Sequence, residues 1–362
     1  MIYVGSLEYS PVYKSHCCAF GKACEDMGYQ VKYLFSYDYE WMLPQSVKEK
    51  TVFIGHSKNI SSMIMDCLDF KNIRLINRVF SEDKPSHVYI QNYHMLNHFV
   101  LKACKKNGGK FIYHAHEPRV ENKRAHGGSQ QYWLYLNEFM EARLLRKTDI
   151  AMISSREGSR LFNKAYPWFK GKKVEIPLMY EDLGENTGLP NIQSYITFVG
   201  PPVPAKGPEI FLKIVDYARK SNPDWSFLLI SREEVKDARF LNKRNLSIFY
   251  KKKISDEEYG ALMRKSCTVL TPYKRETQSS VILVSYMYGT PVVSSNVGGL
   301  PEFVNIGDTG YIVDLNAPVE EWIKAISQTQ KNAQIMRVYS RRYFDENFSG
   351  KNWKKYLKAT LA

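Results

Sequence analysis

A single rhythm governs this sequence, and it runs twice: short, uniformly apolar segments of strand length alternate with stretches of helical periodicity. In the first half the apolar segments are residues 2–4, 31–35, 52–54, 88–90, 111–114 and 150–153. None alternates polar with apolar, the pattern of a half-exposed strand, so each suits a parallel sheet covered on both faces. Helical stretches lie between them, such as 15–27, closed by Gly28, and 95–106, closed by Gly108 and Gly109. A second series follows at 196–199, 226–230, 247–250, 268–270 and 292–295, with a capping box at Ser255 and Glu258. The expected fold is therefore α/β, two Rossmann-like doubly wound domains facing a cleft. A chain of 362 residues exceeds one ordinary core. The polar, turn-rich stretch 186–190 is read as the linker, giving a first domain over 1–185 and a second over 190–340.

Composition narrows the function classes. The six cysteines form no C-x-x-C pair and sit among apolar neighbours, as reduced thiols of a cytoplasmic protein do. The chain opens on a strand rather than a secretory leader, and no apolar run reaches the ~18 residues of a spanning helix. Lys and Arg number 51 against 37 Asp and Glu, a formal charge of +14, which points to an anionic partner. No zinc finger and no RNP-type strand accompanies that charge, so no nucleic acid is expected. Residues 166–173 interleave Tyr166, Trp168 and Phe169 with three lysines, and Lys102, Lys105 and Lys106 crowd one helix end. Such patches suit the interface of an anionic membrane, although the same aromatics would serve as core.

The densest chemistry lies at residues 276–302. Glu276 precedes Thr277, Gln278, Ser279 and Ser280; a helix follows, then a Gly289-Thr-Pro291 turn, a strand, and Gly298-Gly299. A helix starting after Glu276 offers free N–H groups and hydroxyls to a phosphate, and the carboxylate can take sugar hydroxyls. The alternative is an ordinary αβ unit opened by an acid.

This stretch, with Phe198-Val-Gly200, Lys206-Gly207, Gly310-Tyr-Ile-Val313 and a terminal basic-aromatic segment around Phe348, Ser349 and Trp353, resembles the nucleotide-sugar domain of retaining GT-B glycosyltransferases of the family 4, or group 1, type. The first half matches through Gly28-Tyr-Gln-Val31 and Tyr113-His-Ala-His-Glu-Pro118. The resemblance implies an enzyme that transfers a hexosyl-type group from a UDP- or GDP-sugar to a glycan or lipid-linked acceptor, retaining configuration and needing no metal. It assigns Lys206 to the donor diphosphate, Glu276 to the transferred sugar and His116 to the reacting centre. Thr277, Gln278, Ser279 and Ser280 fall on the donor side; His114, Glu117, Ser6 and Lys14 are candidates for the acceptor side or its loop. It also implies that the segment 341–362 packs back on the first domain.

Three positions depart from that pattern. Val284 stands where the family carries the acid that holds the ribose. Pro201 replaces the arginine of the diphosphate clamp. The turn Ser6-Leu-Glu-Tyr-Ser10-Pro11 lacks the usual paired glycines. Donor recognition is then rearranged, through Ser285, Arg275 or Arg232, or the protein is a non-catalytic GT-B scaffold or regulatory partner.

Overall fold

The computed structural model describes residues 1–56, 60–118, 129–184 and 195–361. The linker read at 186–190 lies outside them. The chain divides into two compact units, Met1–Glu181 with Ser349–Ala362, and Asp182–Phe348.

The first unit is built on seven parallel strands: β1 (Ile2–Ser6), β2 (Val31–Phe35), β3 (Thr51–Phe53), β4 (His87–Gln91), β5 (Lys110–Ala115), β6 (Ile150–Ile153) and β7 (Lys172–Glu175). Their order is β3-β2-β1-β4-β5-β6-β7. Side chains alternate between two cores. Ile2 and Val4 meet the helix Pro11–Glu25 on one face. Tyr3 on the other meets Phe80 of the helix Phe70–Asp83 and shares a core with Val100 of Asn97–Lys106. Two covered faces are why these strands read as continuous apolar runs. The strand β7 escaped the sequence reading because an edge strand with exposed lysines carries no such run.

The helix Trp353–Leu361 completes this unit. Trp353, Leu357 and Leu361 are buried in the core of Pro11–Glu25, with Trp353 edge-on to Phe20 at 5.0 Å between ring centroids. The return begins later than residue 341. The helix Ala333–Asn347 stays in the second unit, where Phe344 is fully buried and Tyr343 packs on Tyr286 and Phe348. The chain joins the first unit at Ser349, which bridges to Tyr180, and the Gly350 N–H donates to the Tyr180 carbonyl at 2.7 Å.

The proposed membrane patch at 166–173 is corrected by its packing. Tyr166 is buried and donates from its hydroxyl to Glu141 at 2.8 Å, while Trp168 and Phe169 pack against the same core. Lys105 pairs with Asp149, and Lys173 reaches Asn163 Oδ1 at 3.0 Å, so local partners use these cations. All six cysteines are free thiols. Among the described residues no helix is long and apolar enough to cross a membrane.

The second unit repeats the plan with six parallel strands: β8 (Tyr195–Val199), β9 (Ser226–Ser231), β10 (Leu246–Tyr250), β11 (Ser266–Thr271), β12 (Val292–Ser295) and β13 (Gly310–Val313), ordered β10-β9-β8-β11-β12-β13. The capping box at Ser255 and Glu258 forms as expected and opens the helix Asp256–Arg264. In each sheet the strand order reverses at one point, between β1 and β4 and between β8 and β11. Ligands of doubly wound sheets bind outside the carboxyl ends of the strands at such a point.

Candidate functional site

In the second unit the reversal point is bounded by the turn after β8 and the loop after β11. Gly200 closes β8 at φ 110°, a conformation L side chains rarely adopt. A Cβ there would lie 2.4 Å from Lys206 Nζ, so the lysine folds back over the bare glycine. A short turn, Pro204–Lys206, sets that direction, and the Lys274 N–H donates to the Ala205 carbonyl at 2.8 Å, tying the two loops together. The Lys206 ammonium lies 5.3 Å from the Tyr273 ring centroid. Burial holds its pKa below the ordinary lysine range, while the carboxylates of Glu276 and Glu233 pull it back up.

Glu276 is held by its backbone. Its carbonyl accepts from the Gly299 N–H at 3.1 Å, and a Cβ on Gly298, at φ 54°, would lie 2.0 Å from that oxygen. This explains why Gly298 is needed in the turn that ends the next strand, β12. Thr277, Gln278 and Ser279 follow, all buried. Ser279 occupies the N-cap of the helix Ser280–Met287 but makes no side-chain capping bond. The Thr277 hydroxyl is buried without a hydrogen-bond partner among the described residues. One unit thus gathers a half-buried cation, a helix N-terminus, an unsatisfied hydroxyl and a carboxylate. The first three suit an anion such as a diphosphate, and the last suits sugar hydroxyls.

The positions of departure can now be read locally. Val284 lies one turn beyond Ser280, and both are half-buried while every other residue of that helix is buried. An apolar side chain therefore occupies the accessible stripe of the helix. Ser285 does not compensate, because it is fully buried and its hydroxyl donates to the Val281 carbonyl at 2.6 Å. Arg232 reaches the Ile254 carbonyl at 3.4 Å beyond β9, and Arg275 directly precedes Glu276. Glu233 is the residue the sequence reading missed here; nothing in its local pattern separates it from a solvated loop acid.

In the first unit the two histidines differ. His114 in β5 is fully buried, with Nδ1 2.6 Å from the Tyr89 hydroxyl and Nε2 2.6 Å from the Ser154 hydroxyl. Both ring nitrogens are engaged inside the sheet, so His114 is a core residue. His116, just past the strand, is half-buried and meets Tyr13 edge-on at 5.2 Å between ring centroids. Burial lowers its pKa to about 4, leaving a neutral imidazole at neutral pH. Ser6 is structural: its hydroxyl approaches the Glu8 carbonyl at 2.8 Å and the Gln91 carbonyl at 3.1 Å, joining the ends of β1 and β4. Lys14 is buried in the first turn of Pro11–Glu25, and Glu117 is half-buried next to His116. Sequence reasoning missed Glu8 and Asn92, which meet at this reversal point through an Asn92 Nδ2 bond to Glu8 Oε2.

Residues 193–332 match the family described as "Glycosyl transferases group 1". Among curated proteins, a D-inositol 3-phosphate glycosyltransferase of Paenarthrobacter aurescens is 30% identical over 148 residues, 39% of this chain and 36% of the relative. An uncharacterised glycosyltransferase of Methanocaldococcus jannaschii is 27% identical over 208 residues, 56% of this chain and 54% of that protein. These matches thus span about a third to a half of the relatives' length. Solved structures align along almost the whole chain. Sucrose-phosphate synthase from Thermosynechococcus elongatus gives a TM-score of 0.73 at 14% identity, covering 99% of this chain and 98% of that one. Anabaena HepE in complex with UDP-glucose gives 0.69 at 14% identity, covering 100% and 99%. WaaG, a glycosyltransferase involved in lipopolysaccharide biosynthesis, gives 0.69 at 13% identity, covering 100% of both chains. Residues 193–332 thus resemble the group 1 glycosyl transferases, and the whole chain shares the GT-B fold of these solved structures.

Proposed function

We propose that this protein is a glycosyltransferase that moves a hexosyl group from a nucleoside-diphosphate sugar to a hydroxyl of a glycan or lipid-linked acceptor, with retention of configuration. The observation that carries this reading is the half-buried, partly desolvated Lys206 ammonium under the influence of Glu276, in the same unit as the helix N-terminus at Ser279. In this reading Lys206 and the first N–H groups of Ser280–Met287 hold the diphosphate and take up the charge of the leaving group, with no metal invoked. Glu276 accepts from the hydroxyls of the transferred sugar. His116, neutral at the end of β5, lines the acceptor side. Of UDP and GDP, the uridine nucleotide is favoured, because the HepE neighbour was solved with UDP-glucose. Isothermal titration with UDP, GDP and their glucose conjugates, followed by product analysis, tests the reading. Binding of no nucleotide would overturn it.

A second reading, a non-catalytic GT-B partner of an active transferase, is favoured by Val284 and Pro201, which remove the ribose acid and the clamp arginine. It predicts nucleotide binding without turnover of any nucleotide-sugar.

The acceptor side is proposed to work in the cytoplasm beside an anionic membrane surface. Support comes from the helix Ser129–Leu145, which exposes Tyr132, Tyr135, Leu136 and Phe139 and ends near Arg143, Arg146 and Lys147, in a chain of +14. Sedimentation with anionic vesicles, lost at high salt and absent with neutral ones, is the expected result. Equal binding to both vesicle types would refute it.

A further inference from the structure

The reversal point of the first sheet holds a constellation with no counterpart in a phosphate-binding glycine turn. Asn92, directly after β4, has φ 58°, unusual for a residue with a side chain. Its amide donates to Glu8 Oε2 and, at 3.0 Å, to the Tyr13 hydroxyl. Its N–H donates to the His114 carbonyl at 3.0 Å, and its carbonyl accepts from Asn97 Nδ2 at 2.9 Å. The backbone N–H and carbonyl of Asn92 and its side-chain NH2 are therefore all tied, and that NH2 holds Glu8. The Glu8 backbone is fixed as well, since its carbonyl accepts from the Tyr39 hydroxyl at 2.5 Å and from Ser6. Glu8 is half-buried, and among the described residues no partner is bonded to its second carboxyl oxygen. Tyr13 links this group to His116, whose ring it meets edge-on.

We propose that Glu8 sets the charge class of the acceptor: its carboxyl group, held by Asn92 beside Tyr13 and His116, receives hydroxyls of an uncharged sugar or polyol and disfavours an acceptor that is anionic at that point. The inference rests on the glycosyltransferase reading and deepens it. A glycine turn offers N–H donors to an anion; a fixed carboxyl group offers acceptors to hydroxyl donors. The surrounding charge points the same way. The charges that weigh most on Glu8 are those of Glu141, from the helix Ser129–Leu145, and Glu117, after β5, and both are negative. The packed elements also carry Lys14, His16 and Cys17 of Pro11–Glu25, Asp38 before Tyr39, His116, and the hydroxyls of Tyr13 and Tyr39. Burial raises the Glu8 pKa to about 7. Discrimination against anions therefore grows as pH rises through neutrality, when the carboxyl group becomes charged.

The test uses the full chain with saturating UDP and two probes, methyl α-glucopyranoside and glucose 6-sulfate, whose ester stays ionised throughout. Ligand-observed NMR on wild type, Glu8→Gln and Glu8→Ala reads their affinities at about pH 6 and about pH 8. In wild type the neutral probe should bind at least about tenfold more tightly than the sulfate, with a wider gap at the higher pH. Glu8→Gln should bring the two probes within about threefold and remove the pH dependence, while Glu8→Ala weakens the neutral probe about tenfold. A wild type that binds the sulfate equally well, or does not bind the neutral probe, overturns the proposal. So does a Glu8→Gln variant that keeps the whole gap. UDP affinity, titrated on UDP-free samples of the same three proteins, reports separately on the donor reading and on folding of the variants.

Discussion

Replacing Lys206 with methionine separates a functional charge from a structural one. The ammonium is half-buried beside Tyr273 and opposed only by Glu276 and Glu233 among the groups that weigh most on it. A charge-assisted hydrogen bond to a ligand contributes about 1.5–3 kcal/mol. At about 1.4 kcal/mol per decade, its loss weakens UDP binding by roughly 12- to 140-fold. The upper end is expected, because Glu276 and Glu233 would then face the diphosphate with no cation between them. Stability should move the other way or stay level: methionine fills similar volume without a desolvated charge, offsetting the loss of a cation–ring contact of about 0.5–1 kcal/mol. Isothermal titration with UDP and a thermal melt of the unliganded protein give both numbers. The depressed pKa adds a third reading: wild-type affinity should fall on the alkaline side, at lower pH than an ordinary lysine would allow, and the variant should show no such limb. A UDP affinity within about threefold of wild type would refute the assignment, and a large drop in melting temperature would show Lys206 to be structural.

Glu276→Gln should leave UDP affinity within about threefold of wild type but reduce sugar transfer or donor hydrolysis by about a hundredfold, read by product analysis under saturating donor. Glu141, buried beneath the hydroxyls of Tyr113 and Tyr166, has its pKa raised by burial from 4.5 to about 7. The folded state then holds a proton that the unfolded chain has released, so a contribution of about 3 kcal/mol is lost as pH rises from 4.5 through 7. Urea melts across that range should show a decline that Glu141→Gln flattens. Trp353→Ala should cost about 3–5 kcal/mol by urea denaturation. Trp353→Phe should cost less than about 1 kcal/mol, because the indole N–H is buried without a partner and its removal offsets the lost area.

The architecture was legible because buried parallel strands advertise themselves as apolar runs, and because Gly200, Gly207, Gly289 and Gly298 of the motif sit at positive φ where few other residues fit. What escaped the sequence has a common cause. The strand β7 is an edge, charged on its exposed side, and so lacks the periodic signal. His114 and His116 lie two residues apart and share a pattern, yet only coordinates reveal that Tyr89 and Ser154 hold one inside the sheet. Trp168 and Phe169 read as an interfacial patch because an aromatic beside lysines looks the same from sequence whether it faces lipid or the core. Glu8 was read only as an absent glycine; its partner Asn92 is 84 residues away, and no local rule connects them.

The contribution of residues 353–361 to the first unit makes the second unit, topologically, an insertion. Domains usually complete themselves in the order in which they are synthesised. Here the order is inverted: the six-stranded unit has all its parts before Trp353 has been made, whereas the seven-stranded unit waits with Phe20 and its neighbours uncovered. At ordinary elongation rates that interval lasts roughly ten to thirty seconds after Glu181 is added. During it, the uncovered face of Pro11–Glu25 is a surface for chaperones, or for the same helix on a neighbouring nascent chain.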